Sequence, residues 1–205
     1  MTTFDFGGGP VPAHRHRNPD GTLGGWVADS THIGPDVLIE RTAKVYGCAR
    51  VLEFAVIKDC ATVCDYAFVT NSAIIGGQAV VEGEATVCDQ ALVTNFARIS
   101  DKAHIGGYAQ ILDGAWIKEH VVVLDNASVI GEAIVGGFIS LLDHATISGN
   151  TVVSGNAKFC GHYHGAVSGI CTGTYNEHGE LSSTPSSMRP DQITAMLSLD
   201  QSIGI

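Results

Sequence analysis

Hydrophobic positions along this chain fall on a six-residue beat. From Val27 to His164 the first position of each phrase is Val or Ile in 21 of 23 phrases, with Leu141 and Phe159 the two departures, and the fifth position is Ala in 17 of 23. Each fifth and following first position flank a single residue, as in Ala43-Lys44-Val45. Strand side chains alternate, so the outer two of such a triplet share one side and the middle one takes the other. The pattern predicts a short strand in every phrase, its β-branched residue and its small residue both turned inward. Alanine follows from space, because a narrow tube cannot hold two large side chains per strand. The third and fourth positions favour Gly, Asp or Asn followed by a polar residue, as in Gly106-Gly107, Asp125-Asn126 and Gly155-Asn156, and these turn the chain at corners. A period held this strictly marks a stacked coil. Three phrases, 18 residues, complete a triangular turn, so residues 18 apart sit above one another at the ~4.8 Å spacing of neighbouring strands. The expected fold is an all-β, single-stranded parallel β-helix of about seven or eight triangular coils.

Three segments follow from this: a cap over 1–26, the coil over 27–164 and a tail over 165–205. Thr3-Phe4-Asp5-Phe6 reads as a short strand ended by Gly7-Gly8-Gly9-Pro10, and Asn18-Pro19-Asp20-Gly21 as a turn, which makes a capping hairpin. An open solenoid end exposes core and unpaired backbone, so Phe4, Phe6 and Trp26 are assigned to that cap. The basic run His14-Arg15-His16-Arg17 is expected to be a solvated strand of the hairpin, a binding role being its alternative. In the tail, Asn176-Glu177-His178-Gly179 predicts a hairpin turn. Pro190 opens an amphipathic helix with Ile193, Met196, Leu197 and Ile203 at helical spacing.

The phrase, carried over about two thirds of the chain, resembles the hexapeptide-repeat family. The leader (His14-Arg15-His16-Arg17-Asn18-Pro19-Asp20-Gly21, then Gly24-Gly25-Trp26-Val27-Ala28) is similar to members of the YdcK type from enterobacteria and their phages. The resemblance implies a left-handed winding, a homotrimer and a transferase-like heritage. Hexapeptide acyltransferases use an outward His at a subunit boundary to deprotonate an acceptor before it attacks acyl-CoA. They also commonly interrupt the coil with a long loop that walls in the acceptor, and these 23 phrases run without interruption.

Composition narrows the function classes. Eleven basic against 21 acidic residues give a net charge of −10, which disfavours binding to a nucleic-acid polymer. The six Cys lack any CxxC pair, and no signal peptide or membrane-length apolar run appears. Free thiols in a reducing cytoplasm, with Cys60, Cys64 and Cys88 at coil corners, is the economical reading.

Sorting the outward residues by 18 gives three faces. One reads Leu38, Val56, Ile74, Leu92, then Gln110, Ser128, Thr146 and His164. Four stacked aliphatics on an outer sheet predict a covered surface, an oligomer contact or burial by the terminal segments of the same chain, and the family resemblance favours a homotrimer. A second reads Lys44, Thr62, Val80, Arg98, Trp116, Ile134, Val152 and is apolar toward one end. The third, from His32 and Arg50 through Phe68, Thr86, His104 and Val122 to Lys158, is mixed. Arg98, Lys102, Lys118, His104 and His120 gather basic groups near one corner, with Trp116 stacked one coil from Arg98, a site that could take a small phosphate or carboxylate ligand. His104 is the candidate general base. His144, Cys160, His162 and His164 form an alternative metal set, ordinary packing at the coil end being the simpler account. Three functions are weighed: a non-catalytic oligomeric solenoid binding a partner or small anion on its faces, an acyl-CoA-dependent acyltransferase, and sequestration of a phosphate-bearing metabolite or nucleotide in an inter-subunit cleft.

Overall fold

The computed structural model describes residues 2–161, 164–165 and 169–175, without the side chains of residues 164 and 165. Over the described residues every phrase supplies its strand. Two-residue strands recur at six-residue intervals from His32–Ile33 to Ile134–Val135, each pairing in parallel with the strand 18 residues on, as in Phe68↔Thr86 and Ile74↔Leu92. The aliphatic face is an eight-stranded parallel sheet with one strand per coil, which makes about eight coils. The other two faces join into one sheet because Val152–Phe159 runs straight through a corner. This three-sided parallel β-solenoid is consistent with a left-handed β-helix.

The interior holds what the periodicity demands. Val and Ile at first positions and Ala at fifth positions, from Ala43 and Val45 to Ala145 and Ile147, are fully buried in one continuous core. The corners obey an equally regular rule. Every third-position residue from Gly47 to Gly161 has positive φ, eleven of them non-glycine. Asp and Asn tolerate that left-handed backbone better than other side chains. Here they also use it: a corner carboxylate accepts the backbone N–H one coil on, as in Asp59–Gly77 at 2.9 Å, Asp89–Gly107 at 2.8 Å, Asp101–Glu119 at 2.9 Å and Asp143–Gly161 at 3.0 Å. Nine of the 21 acidic residues occupy these corners, so much of the net negative charge is a by-product of turning the chain.

At the N-terminal end, β1 (Thr3–Asp5), β2 (Pro10–Arg17) and β3 (Leu23–Ala28) form an antiparallel cap, and β3 continues in parallel onto Lys44–Val45. Phe4 stacks on Trp26 with centroids 4.5 Å apart and Phe6 on Tyr46 at 4.8 Å, as assigned to the cap. Gly24 and Gly25 are there because a Cβ would overlap the carbonyl oxygens of Ile39 and Ala43. One expectation is corrected. The basic run is not uniformly solvated: His16 is buried over the tube mouth, where its Nε2–H donates to the Val37 carbonyl at 3.0 Å, and burial holds its pKa below the usual value. Inward residues alternate even in a basic stretch, and a neutral imidazole closes the first coil. Asn18 completes the plug by accepting from the Ile39 N–H at 2.9 Å.

Parallel stacking continues past the last phrase. Gly169–Tyr175 pairs with Val153–Phe159 at an offset of 16 residues rather than 18, for example Phe159↔Tyr175. The expected hairpin turn at residues 176–179 and the helix from residue 190 lie outside the described residues.

Candidate functional site

Three outward strand residues share a lean that the register alone does not contain: the side chain runs along its strand and meets the residue 16 positions earlier, at the corner of the preceding coil. Arg98 Nε donates to Glu82 at 2.7 Å, Trp116 Nε1 to Ser100 Oγ at 3.0 Å, and His104 Nε2 lies 3.9 Å from the Cys88 thiol. This lean divides the sequence-derived cluster. Arg98 and Lys118 converge on Trp116, each with its charge 5.1 Å from a ring centroid of the indole. Lys102 and His120 share the neighbouring corner column, where Lys102 donates its backbone N–H to the Glu119 carbonyl. His104 leaves the group, turning onto the next face toward Cys88.

Charge at this corner is matched. Arg98 pairs with Glu82, Lys102 with Glu84 at 3.5 Å and Lys118 with Glu119 at 3.7 Å. Three carboxylates thus answer three cations, and the fixed positive potential that an anion would need is cancelled locally. His120 stacks on Phe138, centroids 4.7 Å apart and planes 12° from parallel, which commits its ring to the column above.

The Cys88–His104 pair has the atoms of a nucleophile and a base but the wrong charge state. Burial, with the Asp89 carboxylate beside it, pushes the Cys88 thiol up to about 11, so at neutral pH it is a thiol and not a thiolate. Of the metal alternative, the Cys160 thiol donates to the Tyr175 carbonyl at 3.7 Å and the His144 backbone N–H to the Gly161 carbonyl. His162 and the His164 side chain lie outside the described residues. Sequence reading missed a different donor set: Cys64, Asp65 and Glu82, whose ligand atoms lie within 4.8 Å of one another. The signal was present, since Cys64 and Glu82 are 18 apart. Each member is already engaged outside the set, Glu82 by Arg98, Asp65 by the Gly83 N–H at 3.1 Å and Cys64 by Tyr46, and burial pushes the Cys64 thiol up to about 11.

The described surface carries depressions at both ends of the coil. One, of about 220 Å³, lies between the cap and Tyr46. The other, of about 440 Å³, opens beside Phe138 and Lys158. No helix among the described residues is long and apolar enough to cross a membrane. Compared with protein-family models, the chain matches none, and compared with curated proteins it matches none either.

Proposed function

We propose that this protein is a non-catalytic oligomeric solenoid that binds through its lateral faces, copies of itself first among its partners. The observation that carries this reading is the aliphatic face. Leu38, Val56, Ile74 and Leu92 stand in direct register on four consecutive coils, half-buried side by side. At ~4.8 Å per coil they make a flat apolar strip about 14 Å long, and a strip of this kind gains from being covered. The matched charges around Trp116 favour a partner surface over a small-anion site at that corner.

Native mass spectrometry of freshly purified protein tests the reading. A trimer is expected, and Val56→Asp with Ile74→Asp should reduce it to monomer while the fold persists. A wild-type monomer would remove the proposal. Acyl-CoA-dependent acyl transfer is the rival. It requires acetyl-CoA to bind in calorimetry and turnover to vanish in His104→Ala, and that pair of results would replace the present reading.

A further inference from the structure

The strongest unclaimed feature is the larger depression, and its shape comes from a change in how the chain takes one corner. Elsewhere a two-residue strand stops and the chain turns. Here Val152–Phe159 runs on through the corner as one continuous strand, with Phe138–Leu141, lengthened to four residues, paired on one side of it (Phe138↔Asn156, Ser140↔Lys158) and Gly169–Tyr175 on the other (Asn156↔Thr172). Two outward columns result. Phe138, Asn156 and Thr172 stand in one, Ser140 and Lys158 in the next, two residues along the strand or about 7 Å away. Between them the inward residues shrink from Ile139 to Ala157 to Gly173, and the surface dips to a notch of about 440 Å³.

Phe138 is the platform of this notch. It is 61% exposed although His120 lies flat against one of its faces. The two rings are one coil apart in the same column with nearly parallel planes, so they lie across the solenoid axis and the second face of Phe138 looks along that axis. The residue above is Asn156, too short to cover it, and so the stack of rings stops one step early. Beside the gap stands Lys158. The ion pairs among the described residues engage Arg98, Lys102, Lys118 and His14, so Lys158, unlike the cations around Trp116, has no carboxylate partner there. Asn156, Thr172 and Ser140 add neutral groups that both donate and accept hydrogen bonds.

We infer that this notch binds a single pyranose-sized ring carrying one anionic group. The ring would continue the His120–Phe138 stack, its hydroxyls facing Asn156 and Thr172 and its anionic group reaching the Lys158 ammonium. A carboxylate or a phosphate would both serve that cation. A nucleotide fits less well, because the notch offers one cation and no buried edge to read a base. The inference does not depend on self-association, since Phe138 and Lys158 lie away from the aliphatic face.

Isothermal titration of the full-length protein with glucuronate, glucose 6-phosphate, glucose and AMP tests it. Both charged sugars should bind saturably, and glucose about tenfold more weakly or not at all, the difference one charge-assisted hydrogen bond makes. The tighter of the two identifies the anion as carboxylate or phosphate. Lys158→Met should erase discrimination between charged and neutral sugar. Phe138→Ala should weaken all sugars about tenfold, as loss of one stacked ring does. Both side chains are exposed, so unchanged melting of each variant would show that the fold is intact. Absence of saturable binding by either charged sugar, undiminished binding in Lys158→Met, or AMP as the tightest ligand would overturn the assignment.

Discussion

Two stretches of this chain are nearly the same sequence in different surroundings. Thr62-Val63-Cys64-Asp65-Tyr66-Ala67-Phe68-Val69-Thr70-Asn71 is echoed 24 residues later by Thr86-Val87-Cys88-Asp89-Gln90-Ala91-Leu92-Val93-Thr94-Asn95. Twenty-four residues are one coil plus one side, so the second copy lies one coil up and one face around. Their backbones agree: Asp65 and Asp89 have φ of 58° and 60°, and each accepts the N–H of the glycine one coil on. Their thiols part company. Cys64 is 4% exposed, set between Tyr46 on the coil below and Glu82 above, with Arg98 on that carboxylate. Cys88 meets Gly106 above it and the leaning His104. The lesson is that phrase sequence dictates the backbone, while residues 16 and 18 positions away dictate the chemistry.

The largest effect should come where the copies are alike. Ala61 and Ala85 are both fully buried at the same interior position. Replacing either by Leu should destabilise by about 3 kcal/mol, through overpacking of a tube that cannot widen. Equal shifts in denaturation midpoint would sharpen the comparison, and a difference above about 1 kcal/mol would break the claim of a common interior. Next in size are Gly83→Ala and Gly107→Ala at the corners one coil above Asp65 and Asp89. Their φ values are 69° and 66°, and a Cβ would lie 2.8 Å and 2.6 Å from backbone nitrogens of the next coil. About 1–2 kcal/mol each, again equal, is expected by the same measurement.

Alkaline pH should separate the copies. The fold raises the Cys64 and Cys88 thiols from 9.0 to about 11, and the Tyr46 phenol beside Cys64 from 10.0 to about 12. A group raised in the fold contributes stability that is complete below its unfolded pKa and is lost as pH climbs through its folded one. Stability should therefore fall between pH 9 and about 12, with both corners contributing alongside Cys171 and Tyr175, which burial also raises. Tyr46→Phe with Cys64→Ala should flatten more of that fall than Cys88→Ala, since two groups titrate at the first corner. Equal flattening in urea titrations across pH would refute the different surroundings. Arg98→Ala should have the smallest effect, within about 1 kcal/mol and shrinking with added salt, because Arg98 is half exposed and its pair with Glu82 is solvent-screened.

What could be read beforehand divides along the same line. The strands, the inward Val and Ala columns, the 18-residue register and the aromatic cap were legible because each phrase states its own burial requirement. The basic corner was legible only as a column of residue types. That Arg98 would reach Glu82, that His104 would turn away to Cys88, and that His16 would dive into the tube mouth all depend on which way a side chain leans. Cys64 with Glu82 could have been found by pairing residues 18 apart on corners as well as on faces. The notch beside Phe138 had no local signal, because it arises where Val152–Phe159 fails to stop at a corner and its neighbours pair along its whole length.

By itself the sequence determined a parallel coil of fixed pitch. A buried β-branched residue every six positions, with alanine two before it, leaves a strand no other way to hide its apolar side. Only the tertiary structure decided which charges cancel, which thiols stay protonated and which aromatic ring keeps a bare face. Those outcomes hang on contacts between successive coils, where the direction of a side chain and the sharpness of a corner are set by packing across the stack.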